Sequence, residues 1–151
     1  MRRAIVALGA VALLAAAAAA MAQDTTTVAV SATVAGTCKF ESTGSVNFTL
    51  DPSVGGNVNG TVTQPTFRCT KGVSYTISDD YGQNKSGTTR QMKHANQNEF
   101  IPYSFTYTAS GSGSGYGTLV TMDISATVAG NDYINASAGT YSDTVTLTIN
   151  L

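Results

Sequence analysis

The stretch TYSDTVTLTINL, residues 140–151, alternates polar and apolar residues through its second half. Val145, Leu147, Ile149 and Leu151 fall on one face of an extended chain, and Thr144, Thr146, Thr148 and Asn150 on the other. Successive side chains of a strand point to opposite sides, so the pattern predicts a β-strand with one buried face. Such a strand needs a neighbour, because a long apolar edge left uncovered is an aggregation site. The alternation runs to the last residue: if the strand lies inside a sheet its outer neighbour must come from elsewhere, and if it lies on an edge that edge is long and flat.

The rest of the chain supports an all-β reading. Beyond the first 22 residues it is rich in Thr, Val, Ser, Gly, Tyr and Asn. Thr, Val and Tyr suit strands, while Gly, Ser and Asn suit the turns between them. No window of 11 or more residues there has helical spacing. Strands are predicted at 26–34, 39–40, 45–50, 60–69, 74–78, 91–93, 101–108, 118–128 and 141–151. The turns between them include SVGGNVNG, DDYGQNKSG and the flexible Gly/Ser tip ASGSGSGYG. Short strands at such intervals argue a β-sandwich. Pro65 demotes its strand to an edge or a bulge.

The opening residues set the compartment. Arg2 and Arg3 precede an apolar run from Ala4 to Ala20, and Ala20 and Ala22 stand where a signal peptidase needs small residues. This predicts a signal peptide over 1–22. Its removal from the 151 residues leaves 129, enough for one domain. Six basic residues then face nine acidic ones, a weak negative balance that argues against nucleic acid as a partner. Cys38 and Cys69 are an even pair in an exported chain, which predicts one disulfide rather than two free thiols. Closing that loop is worth about 3–4 kcal/mol in the chain-entropy model. One His and no Cys-x-x-Cys predict neither metal nor cofactor.

Residues 23–36 carry a second strand pattern. Val28, Val30, Ala32 and Val34 share one face. This segment can pair within its own domain, or it can leave that domain and fill the groove of another molecule. Repeated head to tail, the second arrangement does not close and makes a fibre.

Five stretches together carry a family resemblance: SATVAGTCKF, VTQPTFRCTKGVSYTIS, TRQMKH, FIPYSFTY and SAGTYSDTVTLTINL. In this order and spacing they resemble the spore coat protein U domain, the exported subunit family of archaic chaperone–usher pili. The resemblance runs from about Val28 to Leu151. It implies an incomplete immunoglobulin-like β-sandwich over 37–151, completed by a donor strand from another subunit. It implies a periplasmic chaperone, an outer-membrane usher and neighbouring pilus subunits as partners, and a path through the periplasm to a cell-surface pilus. Carried over to this chain, Cys38 and Cys69 match the family disulfide. Val28, Val30, Ala32 and Val34 match the donor face. Tyr141, Val145, Leu147 and Ile149, with Leu151 beyond them, match the strand edging the acceptor groove. Two places depart from the family pattern: Tyr116–Gly117 stands for Trp–Gly, and Arg90–Gln91–Met92 for Arg–Arg–Met.

The expected function is therefore a structural pilus subunit and not an enzyme. His94, in the polar stretch MKHANQN, is expected to be a solvated residue without a catalytic partner. Asp79 and Asp80 lack the spacing of a Ca²⁺ loop and are expected in a solvated turn. A sugar-binding adhesin module, stacking sugars on Tyr81, Tyr103, Tyr107, Tyr116 or Tyr133, is one alternative. A secreted spore or cyst coat protein is the other.

Overall fold

Thirteen short strands and one helical turn make up the described part of the chain, residues 23–151 of the computed structural model. The signal-peptide reading at 1–22 lies outside the described residues. The chain divides into two units, Met1–Thr33 and Val34–Leu151. In the first, residues 23–33 have no regular secondary structure, and Val28 and Val30 are 81% and 92% exposed. The 26–34 strand is thus absent from this structure, as an apolar strand without a partner should be.

The second unit is antiparallel throughout. The largest sheet contains β12 (Tyr141–Ser142), β7 (Arg90–His94), β8 (Phe100–Thr106), β11 (Ser125–Val128) and β3 (Val58–Asn59), in that order. A second sheet has β5 (Thr66–Cys69) between β1 (Cys38–Phe40) and β10 (Val120–Thr121). A third has β6 (Ser74–Asp79) between β13 (Leu147–Asn150) and β9 (Ser110–Ser112). Last, β2 (Ser45–Asn47) pairs with β4 (Thr61–Thr63). Phe67, Ile77, Met122 and Ile124 bury one core, and Ile101, Val128 and Tyr133 a second. Tyr133 belongs to the single turn of helix α1 (Gly130–Tyr133), and its hydroxyl donates to Gly56 O at 2.9 Å.

Three of the expected long strands are broken, each for a visible reason. The 60–69 strand stops at Gln64–Pro65, and the 118–128 strand stops around Met122–Ile124, because the two breaks face one another. Pro65 has no N–H to offer a ladder. The Gln64 carboxamide fills that place: Nε2 donates to Ile124 O at 2.7 Å, and Oε1 accepts from Ile124 N at 2.8 Å. One side chain thus satisfies both backbone groups of a buried residue. Gln64→Ala should leave both unpaired and cost about 2–4 kcal/mol, read as a lower urea midpoint with an unchanged slope. The 141–151 strand is interrupted at 143–146, where the chain passes from its partner β7 to its partner β6. The Gly/Ser tip is not merely a loop. Ser110–Ser112 pairs with β6, and the missing side chain of Gly111 makes room for the Tyr75 ring.

Candidate functional site

A groove of about 710 Å³ opens across the second unit. One wall is residues 40–48, and the other is residues 141–147. Met92, Tyr103, Phe105 and Ile124 line it between them. Phe40, Val46, Phe105 and Leu147 are half-buried against the first core, and Phe48, Met92, Tyr103 and Tyr141 against the second. The groove is therefore a strip where both cores remain uncovered. Half-burying so many apolar side chains forgoes part of the roughly 1.5–3 kcal/mol that each large one gains on full burial.

Both walls have unused backbone. Among the described residues, β13 pairs with β6 alone and β2 with β4 alone. Thr144 O accepts from Gln83 N at 3.1 Å, and Thr146 O from Asp80 N at 3.2 Å. Thr144 and Thr146 thus turn their backbone groups toward the β6 side. Alternation then turns those of Leu147 and Ile149, in β13, toward the groove side. The arrangement combines an apolar strip with a strand edge of unpaired N–H and C=O groups, which is what β-strand addition requires.

The expected site residues fall as follows. Tyr141, Val145 and Leu147 line the groove. Ile149 shares their face and packs on the first core, while Leu151 is 65% exposed beyond the strand. Cys38 and Cys69 form a disulfide, which ties β1, the root of the 40–48 wall, to β5. Val28, Val30, Ala32 and Val34 are all exposed. Sequence reasoning missed the 40–48 wall. Its signal was the alternation of Val46, Phe48 and Leu50, which marks a strand but not what stands opposite.

Two polar residues differ from expectation. His94 is buried, not solvated. Its Nδ1 accepts from the backbone N–H groups of Asn96 at 3.0 Å and Gln97 at 3.1 Å, which fixes the proton on Nε2, 3.3 Å from Ala138 O. The imidazole and the Tyr141 ring pack at nearly right angles, their centres 4.9 Å apart. The polar residues after it fold back over the ring, so a polar sequence hides a buried side chain. Asp79 is no solvated turn residue either. Arg90 Nη2 lies 2.7 Å from each of its oxygens, and Tyr107 Oη donates to it at 2.8 Å. Burial pushes the Asp79 carboxyl up. The hydrogen bonds from Tyr107, Arg90 and the Tyr81 N–H, with the Arg90 charge, outweigh burial and hold it below the usual carboxylate range. Burial and the Asp79 carboxylate push the Tyr107 hydroxyl up to about 12.

Of the five tyrosines, Tyr133 is buried and cannot stack a ligand. The Tyr103 and Tyr107 hydroxyls are committed to Asp143 and Asp79. Among the described residues, no group of three or more His, Cys, Asp or Glu could hold a metal ion, and no helix is long and apolar enough to cross a membrane.

Comparison with protein families matches residues 24–148 to the Spore Coat Protein U domain. The chain belongs to that family. Its sheets, antiparallel throughout, are the all-β architecture expected of this chain. Comparison with curated proteins finds no match. Among solved structures, one similar to it is the CsuC–CsuE chaperone–tip adhesion subunit pre-assembly complex from the archaic chaperone-usher Csu pili of Acinetobacter baumannii. The similarity has 25% identity and a TM-score of 0.47, and covers 79% of this chain and 41% of that one.

Proposed function

We propose that this spore coat U chain is an exported structural subunit of a chaperone–usher type surface pilus, polymerising by donor-strand exchange. The observation that carries the proposal is the open groove between residues 40–48 and 141–147, lined between its walls by Met92, Tyr103, Phe105 and Ile124 and edged by unpaired strand backbone. The same chain carries the complementary element, an exposed segment with Val28, Val30, Ala32 and Val34 on one face. In the proposed cycle a periplasmic chaperone covers the groove first. At the outer-membrane usher, residues 23–36 of the next subunit replace it, and the 37–151 domain is completed.

The subunit role is non-enzymatic in this reading. Both ring nitrogens of His94 face backbone groups, and the Asp79 carboxylate is neutralised by Arg90. The experiment is to supply the strand within one chain. Moving residues 24–36 to the far end, behind a short Gly/Ser linker, should give a monomer that melts well above the unaltered chain. Equal melting of two monomers would overturn the proposal.

A further inference from the structure

The groove wall at 143–146 has no regular strand ladder, because the chain there is leaving β7 for β6. It is held instead by the loop at 80–84. Asp143 is the centre of that grip. Its Oδ2 accepts from Tyr103 Oη at 2.7 Å. Its Oδ1 accepts from the Asn84 N–H at 3.0 Å and from Asn84 Nδ2 at 3.2 Å, and Nδ2 also donates to Ser142 O at 3.1 Å. Asp80 Oδ1 adds bonds from Thr146 N at 3.0 Å and Gly82 N at 2.9 Å. Gly82 has φ +87°, and a side chain there would meet the Asp143 carboxylate. The loop therefore needs glycine at this point, both for its backbone and for the carboxylate it admits. The Tyr103–Asp143 bond lies at the groove itself, which both residues line. Residues 142–147 meanwhile line the groove.

We propose that Asp143, through Tyr103 and Asn84, is the positioning residue that keeps the empty groove in its strand-accepting shape. This inference rests on the donor-strand reading. Once a donor strand is paired along the wall, the donor's own ladder bonds fix residues 143–146, and the carboxylate is redundant for shape. Before that, only the loop and the carboxylate hold the wall. Removing the carboxylate should therefore act on strand entry more than on the completed domain, as loss of preorganisation does.

The test uses the full chain carrying Val30→Asp, which can accept a strand but not donate one, and a labelled peptide of residues 24–36. Adding Asp143→Ala should slow peptide uptake about tenfold, the size of effect expected for losing charge-assisted hydrogen bonds. In the chain with residues 24–36 moved to the far end, Asp143→Ala should lower Tm by less than half the drop seen without the move. Tyr103→Phe keeps the ring and removes only one donor, so it should slow uptake in the same direction by about threefold. It serves if Asp143→Ala fails to fold. Unchanged uptake in the variants, or equal Tm losses in the filled and empty forms, would overturn the positioning role alone. No uptake by the Val30→Asp chain itself would overturn the donor-strand reading, and the positioning role with it.

Discussion

Val30→Asp is expected to leave the chain exported and chaperone-bound in normal amounts, and to abolish fibres. Val30 is 92% exposed, so the substitution opens no cavity. Its effect falls in the next subunit's groove. Burying Val28, Val30, Ala32 and Val34 there is worth about 5 kcal/mol on transfer scales. Replacing one valine with a carboxylate removes roughly a quarter of that. It also brings a charge, or a proton-uptake penalty of several kcal/mol, into an apolar strip. Backbone pairing alone, at about 1 kcal/mol per hydrogen bond, has then to meet the entropy of ordering the segment. Chaperone pull-down and electron microscopy of surface fibres read the two halves of this expectation. Normal fibre yield would remove the donor role from this face.

Arg90→Met carries the second large effect, and it acts on folding. The guanidinium pairs both Asp79 oxygens, lies 4.8 Å from the Tyr81 ring centre and 5.3 Å from that of Phe105. Both partners are largely buried, at 13% and 7% side-chain exposure. Removing the cation strands a buried carboxylate, which costs about 3–5 kcal/mol. That is a large share of the roughly 5–15 kcal/mol that holds a domain folded. The pH dependence has a definite sign. With Arg90 present the Asp79 carboxyl sits below its ordinary value. Its contribution is therefore whole above about pH 4 and is lost as pH falls through the depressed folded value. Without Arg90, burial favours the neutral acid, so protonation relieves the variant. The stability gap between the two chains, from urea titrations, should narrow from pH 7 to pH 3. A constant gap would mean that Arg90 acts through packing and not through charge.

The sequence carried the strands better than the contacts between them. Alternation located the apolar face of 145–151, because a period of two is a local property. The crossing from β7 to β6 at 143–146 is not local, so a single strand was expected where two short ones stand. Gln64 shows the same limit from the other side: nothing near residue 64 signals that its carboxamide will serve residue 124. His94 and Asp79 lie in polar stretches, and polarity says solvent unless the partners are known. For His94 the partners are two N–H groups only two and three residues away, a short-range pattern that could have been considered. For Asp79 they are Arg90, on β7, and Tyr107, just past the end of β8. The groove was legible on one side only. Val145 and Leu147 announced a strand wanting a neighbour, while the facing wall at 40–48 is placed by the disulfide and by Phe40 packing against the first core.

The most direct measurement compares the unaltered exported chain with one whose residues 24–36 follow residue 151 through a Gly/Ser linker. Size and thermal unfolding are recorded on both. The account predicts a monomer for the rearranged chain, with Tm about 15 °C or more higher. That shift follows from about 5 kcal/mol of side-chain burial at several degrees per kcal/mol for a domain of this size. An unaltered chain that is already a monomer with the same Tm would contradict it, since the groove would then have no need of a strand.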